Sequence, residues 1–178
     1  MKDLDQSPIG TAINPERMER ILERDKQEIE VERQIEELGK DAFSPENKKE
    51  RMEKVRRISR KYYEIANGMV EDALYSEAIE LYSKSIAILR KTGNRRAVDS
   101  YFNRAITLAM MGYPKMALDD LKIISRAKPP KADVYFVKGQ IFESLGREKL
   151  AERMYRKSLE IDPNFYRAAR SLANIHLR

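Results

Sequence analysis

The residues able to do chemistry are few, and nothing arranges them for it. The chain has one histidine and no cysteine among 178 residues. Serines and lysines are plentiful, yet none is set in the constellation that an activated nucleophile requires. Without cysteine there is neither a disulfide framework nor a thiolate metal site. No glycine-rich phosphate loop and no metal motif of spaced carboxylates occurs. The sequence therefore predicts no catalytic residue, no metal and no cofactor, and reads His176 as an exposed residue of a terminal helix.

What must be positioned, then, is a surface. With 35 Lys and Arg against 29 Asp and Glu, the chain is basic, and its 36% of charged residues suits exposed helical faces. The length allows one domain with an appendage, or a short repeat array. No apolar run approaches the roughly 18 residues of a membrane span. The opening "MKDLDQSPIG" lacks the apolar core of a secretory signal, so a soluble cytoplasmic protein without membrane contact is expected.

An internal repeat organises most of the chain. Aligned on Ala78, Ala117 and Ala151, three stretches carry the same residue classes at the same offsets. A tyrosine stands sixteen residues before each alanine (Tyr62, Tyr101, Tyr135), and a small residue twelve before (Ala66, Ala105, Gly139). Four residues after it comes a large side chain: Tyr82, Leu121 or Tyr155. Gly112 and Gly146 lie five residues before their alanines, and Pro129 and Pro163 twelve after them. Two antiparallel helices in close contact explain the spacing. A methyl or a hydrogen is needed where backbones cross, glycine supplies positive φ at the turn, and proline stops the second helix.

In this pattern the chain resembles the tetratricopeptide repeat family, whose unit is a 34-residue helix-turn-helix; Ala117 and Ala151 are 34 residues apart. The third copy matches best, with "YFVKGQIFESLG" and "KLAERMYRKSLEIDP", followed by "NFYRAARSLANIHLR", which resembles the solvating helix that ends such arrays. The resemblance implies an all-α fold, a right-handed superhelical array of antiparallel helix pairs. Repeats are expected at residues 59–92, 98–131 and 132–165, with a capping helix at 166–178. Ala78 and Ala117 are 39 residues apart, which predicts a longer basic loop around Gly93, Asn94, Arg95 and Arg96. Repeat one is the weakest copy, with Ala73 in place of the turn glycine and Arg90 in place of the proline.

Ahead of the repeats, residues 1–13 read as a flexible terminus and 14–58 as charged helices. Asn14 caps the first helix, Pro15 fits its first turn and Gly39 ends it. Its apolar residues, among them Met18, Leu22, Val31 and Ile35, form only a loose stripe without coiled-coil heptads. A second helix from Ser44 and Pro45 keeps an unbroken apolar period through Met69, so repeat one grows from an extended helix. Residues 1–58 carry 13 basic and 15 acidic groups against 22 and 14 in the rest, which places the positive charge on the array.

The resemblance also implies a concave groove lined by the first helix of each pair, at the second, fifth, sixth and ninth positions. Here these give an aromatic row of Tyr63, Phe102 and Phe136, then Asn67, Ile106 and Gln140 at the ninth positions and Asn103 at a sixth. The cap would add Arg167, Arg170 and Asn174. The family's carboxylate clamp for acidic chaperone tails asks for three cations and two amides. Asn67 and Asn103 match the amides, but Tyr63, Asp133 and Val137 stand where the cations belong, so no ordinary clamp is expected. The groove instead suits a partner segment with apolar anchors whose backbone the amides satisfy, unless the N-terminal helix fills it. The reading is a protein-binding adaptor, cochaperone-like in architecture and similar to factors that assemble large complexes such as axonemal dyneins. RNA or acidic-partner binding by the basic repeat surface is the alternative; many cations, including Arg147, Arg153, Arg156 and Lys157, fall on or beside second helices, which argues against a basic groove.

Overall fold

The computed structural model describes residues 14–40, 48–91, 97–126 and 130–177. Among these the chain forms eight helices and no strand. They are α1 (Pro15–Lys40), α2 (Lys48–Glu71), α3 (Tyr75–Lys91), α4 (Val98–Met110), α5 (Pro114–Ile124), α6 (Ala132–Ser144), α7 (Glu148–Ile161) and α8 (Tyr166–His176). Helices α2 and α3, α4 and α5, and α6 and α7 pair most closely, α8 packs on α7, and α1 packs on α2. The terminus expected to be flexible, the expected helix start at Ser44 and Pro45, the expected loop of Gly93 to Arg96, and Pro129 lie outside the described residues.

One turn is built three times. Ala73, Gly112 and Gly146 take positive φ, at +60°, +82° and +68°. At each, two backbone bonds close the preceding helix in a Schellman arrangement. In repeat one the Ala73 N–H donates to Val70 O at 3.0 Å and the Leu74 N–H to Met69 O at 2.8 Å. Gly112 with Tyr113, and Gly146 with Arg147, repeat the pattern. Ala73 thus adopts the turn conformation without the freedom glycine has. At the other end of the same pair, with Arg90 where the later repeats have proline, α3 runs on through that position to Lys91.

The crossing positions are fully enclosed: Ala66, Ala78, Ala105, Ala117 and Ala151 have no exposed surface. Tyr62, Tyr101 and Tyr135 are buried between the helices, so this tyrosine row belongs to the core. The repeats share a polar contact too. Ser85 Oγ donates to Ser59 O, and Ser158 Oγ to Ala132 O, both at 3.0 Å and both across 26 residues, tying the second helix of repeats one and three to the first.

Helix α1 starts where its cap dictates, with Asn14 Oδ1 accepting the Glu16 N–H at 2.9 Å. Val31, fully buried, joins a cluster with Ile58, Tyr62 and Ile65 of α2 and with Leu81 and Tyr82 of α3. Charge completes the docking. Arg20 and Arg24 pair with the buried Asp72 carboxylate at the end of α2, and Arg17 donates to the Asp72 carbonyl. Lys84 on α3 reaches Glu28 at 2.6 Å and Glu32 at 3.0 Å. Burial alone would lower the Lys84 pKa, but the hydrogen bonds its ammonium donates to these two carboxylates raise it above the usual lysine range. Gly68 permits this approach, because a Cβ there would lie 2.6 Å from Arg24 Nε.

Candidate functional site

The inner face of the array is formed by α2, α4 and α6, and it holds two openings. The first, about 400 Å³, has Phe102, Ile106 and Met110 of α4 on one side and Phe136, Val137 and Gln140 of α6 on the other. Arg167 of α8 and Asp133 also line it. The second, about 510 Å³, lies between α2 and α4, with Arg56, Arg60, Tyr63 and Glu64 facing Asp99 and Ser100. No residue of α1 lines either opening. Helix α1 leaves both uncovered and meets the array on another face of α2.

The structure gathers Phe102, Ile106, Phe136 and Gln140 into one cleft, as a shared inner face requires, but gives them different exposures. Gln140 is exposed, Phe102 and Ile106 are half-buried, and Phe136 is only 3% exposed. The Phe136 ring packs against Tyr155 at 5.7 Å and edge-on against Phe165 at 5.3 Å. The Arg167 guanidinium covers it, 4.6 Å from the ring centroid. Phe136 is therefore the cleft's floor and part of the last core cluster. Arg170 is exposed and lines neither opening; one turn earlier on α8, Arg167 takes that place.

Tyr63, Asn67 and Asn103 also meet, through hydrogen bonds to one another. Asn103 Nδ2 donates to Asn67 Oδ1 at 2.8 Å and to the Tyr63 hydroxyl at 3.1 Å. Asn67 Oδ1 accepts a second bond, from the Tyr82 hydroxyl at 2.6 Å. Burial pushes the Tyr82 phenol up to about 12, against a lowering by the Asn103 amide. The network joins α2, α3 and α4 across the first two repeats.

Met110 and Ser144, which also line the first cleft, were not among the positions counted from the sequence. Each stands four residues past a ninth position, Ile106 or Gln140, and so on the same helix face one turn on. Extending the helical period by a turn would have found both. A different omission is the Arg104 fork, which holds the buried Asp120 carboxylate through two bonds of 2.8 Å and ties α4 to α5. His176 is exposed and contacts Glu152 at 3.1 Å. Among the described residues no group of His, Asp or Glu is placed to hold a metal ion, and no helix is long and apolar enough to cross a membrane.

An all-helical ladder of paired helices, turned three times through the same tight bend, defines a tetratricopeptide-repeat solenoid. Residues 132–165 match the family model for the tetratricopeptide repeat. Solved structures agree on the fold. The first repeat domain of human RPAP3 is 20% identical and superposes with a TM-score of 0.61 over 68% of this chain and 92% of that one. The first such domain of Spaghetti (RPAP3), bound to the HSP90 peptide SRMEEVD, is 21% identical, with a TM-score of 0.59 over 67% of this chain and 90% of that one. MamA matches over a longer stretch, 94% of this chain and 85% of its own, at 18% identity and a TM-score of 0.60. No curated protein matches the chain by sequence. At these identities the likeness is one of fold.

Proposed function

We propose that this protein is a non-catalytic adaptor that binds an extended or helical partner segment in the cleft between α4 and α6. The observation that carries this reading is the cleft's lining: the half-buried side chains of Phe102, Ile106 and Val137 around the Phe136 floor, with Gln140, Asp133 and Arg167 at the rim. Apolar anchors fill such a space, and rim polar groups fix direction.

Spaghetti holds the acidic peptide SRMEEVD on the same fold. This chain's groove is suited to something else. Its two clamp-type amides are bonded internally, and Asp133 presents a carboxylate where an acidic tail would need a cation. SRMEEVD is therefore expected to show no saturable binding in a calorimetric titration.

The adaptor reading is tested by capture from lysate with nuclease present, comparing the native chain with a Phe102→Ala, Gln140→Ala variant whose melting is checked first. Loss of a nuclease-resistant partner from the variant supports the cleft. Identical partners on both baits would overturn it.

A further inference from the structure

Away from both inner openings, the seam where α5, α6 and α7 meet collects charges that the rest of the fold leaves unused. Lys138 of α6 directs its ammonium to Ser125, just past the end of α5, with Nζ 3.1 Å from Ser125 Oγ. The Tyr135 ring carries two ammoniums: Lys138 Nζ lies 5.6 Å from its centroid and Lys157 Nζ, from α7, 5.1 Å. Lys122, in the last turn of α5, supplies a third cation. None of these residues lines either inner cleft.

Among the described residues, none of the three lysines is paired with a carboxylate. Arg24, Lys84 and Arg104, partly buried as Lys138 is, each hold one. Burial, then the charges of Lys157 and Lys122, keeps the Lys138 ammonium below the usual lysine range, and no acid acts in the other direction. The Tyr135 ring offsets part of this repulsion. The remainder is uncompensated positive charge at a half-buried point.

We propose that this seam is a binding site for a phosphate group, held by the ammoniums of Lys122, Lys138 and Lys157 and by the Ser125 hydroxyl. Lysine binds phosphate as a compact point charge, and a phosphate of charge about −2 neutralises most of the trio where a carboxylate would leave two cations facing each other. Ser125 Oγ now donates to Lys122 O at 2.9 Å, and a hydroxyl rotates freely enough to donate to an anion instead. Soluble polyphosphate and the headgroup of a phosphorylated lipid present the same chemistry, and the test separates them. The site does not depend on the inner cleft being used.

The full chain is melted in sodium pyrophosphate and in sodium chloride of equal ionic strength. It is also sedimented with phosphatidylcholine vesicles with and without phosphatidylinositol phosphate. The expected result is a saturable, pyrophosphate-specific rise in melting temperature, its apparent affinity about tenfold weaker in Lys138→Gln, Lys157→Gln. In chloride that variant melts no lower than the native chain, because it has lost a repulsion. Vesicle binding that needs the phosphorylated lipid and both lysines, without the pyrophosphate effect, assigns the same site to a membrane headgroup. The proposal is overturned if pyrophosphate acts no differently from chloride and neither vesicle type sediments the chain. A pyrophosphate effect undiminished in the variant overturns it too, whatever the variant's melting in chloride.

Discussion

The side-chain amide of Asn103 bonds to Asn67 Oδ1 at 2.8 Å across the first helices of neighbouring repeats. This contact makes the amide pair a structural hinge pin as much as a surface offered to a ligand. Asn103→Ala removes the donor but leaves Asn67 Oδ1 its bond from Tyr82, so a loss of about 1 kcal/mol in urea unfolding is expected. Asn103→Asp, with the same shape, turns a donor into an acceptor facing another acceptor and should cost about 2 kcal/mol. Equal stabilities for the two variants would remove the hydrogen bond from the account.

Gly139 is the crossing residue of repeat three, and a Cβ there would overlap the Tyr155 ring. Gly139→Ala should therefore destabilise by about 1–3 kcal/mol through overpacking. Repeat two solves the same crossing with Ala105 and Leu121, both fully buried. Adding Tyr155→Leu to Gly139→Ala should recover part of the loss, which a double-mutant cycle on melting curves reads as a coupling energy. Strict additivity would contradict the contact.

Ala73 holds a φ of +60°, where glycine stands in the other two repeats. The left-handed conformation costs an L-residue roughly 1 kcal/mol that glycine does not incur. Ala73→Gly is expected to stabilise the chain by about that amount, and Gly112→Ala to destabilise it similarly. A lowered urea midpoint for Ala73→Gly would refute the strain.

Asp72 links α1 to the first repeat, and its carboxyl is held below its ordinary pKa by the hydrogen bond from Arg20, then by Arg24, against the opposing effect of burial. A folded pKa below the unfolded one means stability that is present above the ordinary aspartate value, about 3.9, and lost as pH falls through the lowered one. The native chain should thus have a higher urea midpoint than Asp72→Asn at neutral pH. That difference should shrink only below about pH 4. A difference that does not change with pH would show that the charge on Asp72 contributes nothing.

The helix pairs were legible in the sequence because the contacts that define them are local. Ala66 with Ala78, or Gly139 with Tyr155, are separated by one turn and part of two helices, so their spacing is written directly in the chain. Part of the candidate cleft's lining was legible for the same reason: Phe102 and Ile106 share one face of α4, and Gln140 stands at the matching position of α6. The network at Asn67 and Asn103 was not. The same residues look like free amides until the neighbouring helix is set beside them, and Phe136 looks like an offered ring until Tyr155, Phe165 and Arg167 close over it.

By itself, the sequence determined the number and pairing of the repeat helices, the turns at Ala73, Gly112 and Gly146, and the burial of the Tyr62, Tyr101 and Tyr135 row. Periodicity suffices for these, since each repeat folds against its own neighbours. Only the tertiary structure decided where α1 lies, which cations face Asp72, and which polar groups of the inner face bond to each other. The Asp72 pairs span 48 and 52 residues, and the stripe on α1 is too weak to fix the helix's rotation. Such contacts depend on how successive helices are rotated and stacked, and a residue's own turn of helix carries no record of that.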